Sequence, residues 1–345
     1  MKAIWIEKAG DVGVLSIKEV PTPELVADDE VLVKVMAAGV NPVDTKLRAN
    51  GLFFENAFPA VLGCDGAGYI EKIGANVNGL QVGDAVYYCY GGLGQKTGEP
   101  ACSVGNYAEY AVVKSAFVAL KPESLDFDSA AASPLVLITA WEALFDRAQI
   151  SSGQKIFIHA GAGGVGHVAI QLAKLAGAEV ATTVSSKEKA EFVRQLGADV
   201  VIDYTQENVS EALLLWTEGQ GVDVAFDTVG GDALRELVPA MRLYGDLVSL
   251  LEIPNDLDWK TLRMKNVRVS QTLMLTPMLE GIMELGEHHA AILEQCAQLF
   301  DERKLSVYVD DVLPLAQVKE AHKRIEEGHQ SGKLVLQMHL EDGDA

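Results

Sequence analysis

Residues 156–173, IFIHAGAGGVGHVAIQLA, constrain the fold of this chain more than any other stretch. Ile156, Phe157 and Ile158 have strand character, and Gly161, Gly163, Gly164 and Gly166 follow at once. Val165, Val168, Ala169, Leu172, Ala173 and Leu175 then recur at helical spacing. A lone glycine pattern is a weak signal. Here a strand precedes it and a helix follows it, the context that a dinucleotide-binding fingerprint requires. Gly161 permits a sharp turn, Gly163 lets backbone approach a pyrophosphate, and Gly166 lets the helix pack close to the strand. Gly164 and Val165 open a helix whose free N–H groups and positive dipole end suit phosphate. The plainer alternative is a glycine-rich loop in some other α/β protein.

The flanking sequence supports the first reading. Beyond about residue 126, strand candidates at 156–159, 180–184, 200–203, 222–227, 247–251 and 267–273 alternate with helical patterns at 166–176, 186–196, 210–217 and 232–241. This alternation predicts an α/β fold with a doubly wound parallel sheet. Residues 128–146 read as helix, interrupted at Pro134. Residues 1–125 read as mostly β, with strand-like runs at 1–8, 32–38, 69–73, 85–88 and 107–113 and turn pairs such as Asn41-Pro42 and Asn78-Gly79. A polar, glycine-rich loop is expected at 91–106. Residues 277–304 form one amphipathic helix or two. The tail, with strands at 307–309 and 333–338 around a helix at 315–326, breaks the alternation and is expected to rejoin the N-terminal part. The domains are therefore 1–125 with 305–345, and 126–304, and residues 341–345 are an acidic frayed end.

Hydrophobic residues make up 49% of the 345 residues, enough to bury a core. Lysine and arginine number 28 against 49 aspartate and glutamate, a net charge of −21. Such a chain repels nucleic acid and anionic lipid, so neither is expected as a partner. The longest apolar stretch, near 134–141, is too short for the ~20 residues of a membrane span. The first residues lack an uninterrupted apolar run and read as a strand, not a secretory leader. Cys64, Cys89, Cys102 and Cys296 form no CxxC pair, so free thiols in a reducing, cytoplasmic setting are expected.

Further segments occur in a fixed order. They are Ala38-Gly39-Val40-Asn41-Pro42-Val43-Asp44, Gly63-Cys64-Asp65-Gly66-Ala67-Gly68, Val82-Gly83-Asp84-Ala85-Val86, Thr139-Ala140-Trp141, the glycine turn, Leu196-Gly197-Ala198-Asp199, Ile202-Asp203-Tyr204, Asp227-Thr228-Val229-Gly230-Gly231 and Gly332-Lys333-Leu334-Val335. With these, nearly the whole chain resembles the medium-chain dehydrogenase/reductase superfamily, and within it the zinc-independent NADPH:quinone oxidoreductases. The resemblance implies a chaperonin-10-like β-rich catalytic domain built from both chain ends, a Rossmann domain between, and an active site in the cleft. The alcohol dehydrogenases of that superfamily hold a catalytic zinc with Cys, His and Cys. By resemblance these positions fall at Asn41, Cys64 and Leu135, of which Cys64 alone could ligate. Zinc needs about three protein ligands and an open position, so no metal is expected. Cys89 and Cys102 cannot supply the four cysteines of a structural zinc lobe. Without a Lewis acid, alcohol–ketone exchange is disfavoured, whereas a quinone or enone is already electrophilic.

An NAD site usually places Asp or Glu about 20 residues past the glycines. Here that position falls at Val184 or Ser185, and Ser186, Lys187 and Lys189 follow. A small hydroxyl admits a 2′-phosphate and lysine supplies charge, so NADPH is the expected cofactor. The resemblance aligns phosphate-contacting residues with Lys189 and Tyr204, while Gly328 stands where the family often has an arginine. The plain alternative makes the lysines a solvated first helical turn, where cations oppose the dipole. Val229, Leu251 and Leu273 end strands at the carboxyl edge where ligands bind, and Lys333 is assigned to the cofactor as well.

The expected catalytic residues are Asn41, Asp44 and Thr139. Asn41 either faces the nicotinamide or is an ordinary Asn-Pro turn residue. Asp44 either handles a proton or makes a structural hydrogen bond. Thr139 belongs to a cofactor-facing motif of the family, or is a mid-helix threonine. Lys46 replaces a tyrosine common in relatives, which leaves solvent as the proton source. Tyr88 and Tyr90 line the substrate or pack. His159, His167, His288 and His289 read as structural. The expected activity is hydride transfer from NADPH to quinones or similar electrophilic acceptors. The alternative is an enone or alkenal double-bond reductase. The missing ligands disfavour a zinc alcohol dehydrogenase, and the remaining reading is an NADPH-binding protein of low turnover. Loops 46–58 and 88–106 are expected to set acceptor preference. The resemblance also implies a homodimer through 267–273, whose apolar edge would be a liability if exposed.

Overall fold

The computed structural model describes residues 1–54, 57–94, 105–328 and 330–338. The chain begins with β1 (Lys2–Ile6), β2 (Ser16–Glu19) and β3 (Glu30–Val40), then α1 (Pro42–Asn50), β4 (Ala60–Val61), β5 (Asp65–Ile73), β6 (Ala85–Cys89), β7 (Tyr110–Lys114), β8 (Val118–Leu120) and α2 (Phe127–Ala131). β1 pairs antiparallel with β2 and β4 in a small sheet. β3 is the spine of the larger sheet and pairs antiparallel with β5 and β7. Gly68 in β5 has no room for a side chain, because a Cβ there would collide with the Lys34 carbonyl of β3. α1 opens with Pro42 at its first position, where the missing N–H costs nothing.

α3 (Pro134–Trp141) continues as a wider π-helical segment, Glu142–Arg147. Strict alternation follows: β9 (Lys155–Ile158), α4 (Gly164–Leu175), β10 (Glu179–Val184), α5 (Lys187–Gln195), β11 (Val200–Asp203), α6 (Val209–Trp216), β12 (Val222–Asp227), α7 (Gly231–Leu237), β13 (Met241–Ser249), α8 (Trp259–Met264) and β14 (Arg268–Gln271). The six strands lie in the order β11-β10-β9-β12-β13-β14, and every neighbouring pair is parallel. Crossovers run one way from β9 and the other way from β12, so the topological switch point lies between them. Phe157, Ala181, Ile202, Ala225 and Leu247 of this sheet are buried against Leu213, Leu237 and Leu262 of the helices. β13 starts at Met241, where helical spacing had suggested the end of a helix. Tyr244 adopts a left-handed backbone (φ 59°) and its N–H donates to the Lys265 carbonyl at 2.8 Å. The register against β12 slips at this point.

The chain then returns through α9 (Thr276–Glu280), α10 (Met283–Asp301), β15 (Val309–Pro314), α11 (Val318–Glu327) and β16 (Lys333–Gln337). β16 pairs antiparallel with β3 and parallel with β15, which extends the β-rich sheet to the order β15-β16-β3-β5-β6-β8. Two compact units result: Met1–Leu135 with Leu275–Ala345, and Val136–Met274. Residues 126–135 and 275–304 thus belong with the β-rich unit, which differs from the boundaries read from sequence. The reason lies in α10, which packs against the β-rich sheet: the Tyr87 hydroxyl donates to the Leu293 carbonyl, and Gly286 abuts the Phe117 ring. Of the expected loops, residues 95–104 with Cys102, residues 55–56 and the acidic end 341–345 lie outside the described residues.

Candidate active site

In the β-rich unit, the ends of β3, α1, β5 and β16 converge on one buried polar cluster. The antiparallel register pairs Leu334 with Val40 and so sets Lys333 beside Asn41. The Lys333 ammonium donates to the Val40 carbonyl at 3.2 Å and to Asn41 Oδ1, and lies 3.5 Å from Asp65 Oδ2. Asn41 Nδ2 donates to Asp65 Oδ2 at 2.9 Å, and the Leu135 N–H donates to Asp65 Oδ1 at 2.8 Å. Asp44 Oδ2 accepts the Asn41 backbone N–H at 2.8 Å and the Tyr107 hydroxyl at 2.9 Å. The Asn41 amide is therefore fixed at both ends, with its oxygen toward the ammonium and its nitrogen toward the carboxylate. All of these side chains are buried.

Burial dominates the electrostatics of the cluster. It pushes the Asp44 carboxyl up to about 6 against the hydrogen bonds from Asn41 and Tyr107, and the nearby Asp65 adds to the rise. Burial also raises Asp65, although Lys333 and Asn41 pull the other way. The Cys64 thiol is raised well above its ordinary value by burial and by the carboxyls of Asp44 and Asp65, so it stays protonated.

Asn41 and Asp44 thus lie together, with Asp44 bracing the start of α1. Lys333 is tied into this cluster by two hydrogen bonds and an ion pair with Asp65. Asp65 and Tyr107 are the members that sequence reasoning did not single out. Asp65 was visible in the Gly63–Gly68 motif, but nothing marked Tyr107, which fits because a side chain on Gly63 would meet its ring. Tyr88 is a packing residue. Its hydroxyl donates to Asn106 Oδ1 at 2.8 Å, and the Asn106 amide ties the carbonyls of Gly63, Cys64 and Tyr90 together.

The second set lies along the carboxyl edge of the parallel sheet. The glycine turn joins β9 to α4, and Gly163 caps α4 with no side-chain bond. The N–H groups of Gly164, Val165 and Gly166 in the first turn have no intrahelical acceptor by geometry. Gly161 and Gly166 have no space for a Cβ, which would strike Thr182 and the Ala160 carbonyl. Ala160 itself is left-handed (φ 51°), a conformation costly for a residue with a Cβ, and the Thr183 hydroxyl accepts its N–H at 2.9 Å. Ser185 follows β10, Lys189 lies in the first turn of α5, and Tyr204 follows β11, adjacent to β10. The Ser186 hydroxyl caps α5 by accepting the Lys189 N–H at 3.2 Å. Val229, Leu251 and Leu273 follow β12, β13 and β14, and Tyr204, Val229 and Leu273 are exposed. Thr139 is buried within α3.

Asp227 organises this edge. Its Oδ1 meets His159 Nδ1 at 2.8 Å and accepts the N–H groups of Val229 and Gly230, and its Oδ2 accepts the Ser249 hydroxyl at 2.7 Å. Burial opposes its charge, but the His159, Gly230 and Ser249 bonds outweigh that and hold its carboxyl below the usual range. His159 is thus structural. His167 lies on α4, its ring nitrogen against the Gly163 carbonyl.

A doubly wound sheet with a glycine turn at its switch point, and a β-rich unit made from both chain ends, define a nucleotide-dependent dehydrogenase or reductase. Residues 27–123 match the alcohol dehydrogenase GroES-like domain, and residues 196–336 match the zinc-binding dehydrogenase family. A 2-methylene-furan-3-one reductase of Solanum lycopersicum is 42% identical over 97% of this chain and 79% of its own. A chloroplastic NADPH-dependent alkenal/one oxidoreductase of Arabidopsis thaliana is 34% identical over the same shares. The structure of Escherichia coli quinone oxidoreductase complexed with NADPH superposes with a TM-score of 0.85 at 28% identity, over 98% of this chain and all of that one. The chain belongs to the medium-chain dehydrogenase/reductase superfamily, in its quinone oxidoreductase branch.

One consequence concerns acid. The folded chain holds the Asp44 proton to about pH 6, whereas the ordinary value is 3.8. Ionisation of Asp44 therefore opposes folding: its contribution is complete below the unfolded value and is lost as pH rises through about 6. In Asp44→Asn the amide oxygen can still accept the Asn41 N–H and the Tyr107 hydroxyl, while the ionisation is removed. Asp44→Asn should gain several degrees of melting temperature relative to the unsubstituted protein as pH goes from about 4 to about 7. A difference in melting temperature that does not change with pH contradicts this account.

Proposed function

We propose that this chain is a zinc-independent reductase that transfers hydride from NADPH to quinones or similarly electrophilic acceptors. The observation that carries it is the composition of the sheet edge. An uncapped glycine turn at the switch point stands beside Ser185 and Lys189, where an NAD enzyme places an acid. The residues fit the cofactor. A Cβ on Gly163 would meet nothing of the chain but the Ala160 carbonyl, at 3.2 Å, so internal packing does not require glycine there. Close approach of a phosphate does.

When bound, NADPH supplies the hydride. Gly161, Gly163, Gly164, Val165 and Gly166 hold the pyrophosphate, and Ser185, Lys189 and Tyr204 hold the 2′-phosphate. Val229, Leu251 and Leu273 wall the nicotinamide against water. Asn41 and Thr139 are assigned to positioning, and Asp44 keeps Asn41 in place. Asp44 and Tyr107 are fully buried and bonded to each other, so the product takes its proton from solvent.

Zinc does not fit these residues. The Asn41 amide is engaged at both ends and Leu135 has no ligating side chain, which leaves Cys64 as the one ligating residue of the three positions. Reduction of an enone or alkenal double bond is the second reading, favoured by the two plant relatives. A homodimer through β14 is also proposed: among the described residues β14 pairs with β13 alone, and Leu243, Tyr244, Met264 and Leu273 are exposed. A solution mass of one 37.0 kDa chain contradicts it. A reducing, cytoplasmic setting is supported by the buried free thiols of Cys64, Cys89 and Cys296. No helix of the described residues is long and apolar enough to cross a membrane.

NADPH oxidation should be followed with a benzoquinone, a cyclic enone and a 2-alkenal, and NADP⁺ reduction with a primary alcohol, each with and without chelator. Chelator-insensitive quinone reduction is expected. Faster enone or alkenal turnover selects the second reading. Alcohol oxidation abolished by chelator, or tight NADPH binding without turnover, contradicts both. Lys189→Ala should raise KM for NADPH about tenfold, the loss of one charge-assisted hydrogen bond, and leave that for NADH unchanged. An equal effect on the two cofactors would overturn the assignment of Lys189.

A further inference from the structure

Thr272 follows β14 at the carboxyl edge of the parallel sheet, between Gln271 and Leu273. Its N–H donates to the Ser249 carbonyl at 3.0 Å, which carries the pairing with β13 one residue past the strand. The polar side chains next to it are paired. Gln271 Nε2 donates to the Leu251 carbonyl at 2.9 Å, and the Ser249 hydroxyl donates to Asp227 at 2.7 Å. Thr272 is only 3% exposed, yet its hydroxyl oxygen has no hydrogen-bond partner among the described residues. A hydroxyl is both donor and acceptor, and burying it unpaired is penalised. Valine has the same shape and would fill this place without that penalty, so packing does not account for a threonine here.

We propose that the Thr272 hydroxyl is the side-chain partner of the nicotinamide carboxamide when NADPH binds. The inference rests on the NADPH reading above and adds a residue to it. Val229, Leu251 and Leu273, which wall the nicotinamide in that reading, follow β12, β13 and β14 and have apolar side chains. The carboxamide is the one polar substituent of the nicotinamide ring. Its oxygen accepts and its NH₂ donates, and a hydroxyl can serve either. The hydroxyl is already out of water in the cofactor-free chain, so the bond formed on binding is not offset by stripping water from it. With the pyrophosphate held at the glycine turn, a bond to the carboxamide is a second point of attachment. It opposes rotation of the ring about its glycosidic bond and so keeps the hydride-bearing carbon in place.

The test compares Thr272→Val and Thr272→Ser with the unsubstituted protein, by NADPH titration and by thermal unfolding without cofactor. Thr272→Val should raise the Kd for NADPH about five- to tenfold, the loss of one hydrogen bond. Its cofactor-free melting temperature should rise by a few degrees, because a buried unpaired hydroxyl is gone. Thr272→Ser keeps the hydroxyl and should bind NADPH within about twofold of the unsubstituted protein. The fragment 2′-phospho-ADP-ribose, which lacks the nicotinamide, should bind Thr272→Val and the unsubstituted protein equally. A Thr272→Val protein with an unchanged Kd for NADPH, or with an equal loss for the fragment, overturns the role of Thr272 and leaves the NADPH reading standing. So does an unchanged Kd for NADPH with a raised KM for the quinone, which assigns the hydroxyl to the acceptor. A lowered cofactor-free melting temperature in Thr272→Val means that the hydroxyl is paired without the cofactor, and overturns the inference too. An unsubstituted protein that binds neither NADPH nor the fragment overturns it together with the NADPH reading.

Discussion

Asp65 is a carboxylate with no access to water, and the ion pair with Lys333 is what makes its burial tolerable. Removing one member of a buried pair typically costs about 3–5 kcal/mol, because the other charge is left uncompensated. The two residues begin strands at opposite ends of the chain, so the pair also fastens the returning C-terminus to the N-terminal sheet. From this pair the constraint passes outward. Asp65 and Lys333 hold the Asn41 amide, Asn41 begins α1, and Asp44 in the first turn of α1 engages the backbone of Asn41 and the phenol of Tyr107.

The nucleotide-binding unit uses the same device at the edge of its sheet. Asp227 is buried at the end of β12 and draws on β9 through His159, on β13 through Ser249 and on the turn before α7 through two backbone N–H groups. Several charge-assisted hydrogen bonds to one ionised group resist distortion better than loop packing would. The edge carrying the glycine turn, Val229 and Leu251 is therefore preorganised, which suits chemistry that depends on positioning more than on acid–base groups.

Much of this was legible in the sequence. The parallel sheet announced itself through short β-branched runs, helical spacing between them and a glycine turn in the right context. The start of β13 was not legible, because the left-handed turn falls on Tyr244, a residue type that does not advertise positive φ. The place of α10 was hidden for another reason: an amphipathic face says that something is covered but not which sheet. At the site, Asn41 and Asp44 stood out because their motif is local. Tyr107 and Lys333 did not reveal their roles, since their partners lie 63 and 292 residues away in sequence. Such pairs are set by strand register, which composition and spacing do not encode.

The most direct measurement of the central claim is a single turnover of chelator-treated protein with NADPH deuterated at the reactive nicotinamide carbon. Direct hydride transfer without a metal gives a primary isotope effect on NADPH oxidation that is the same with chelator and without it. Oxidation that stops in chelator and returns on adding zinc, or that shows no isotope effect in the single turnover, contradicts the account.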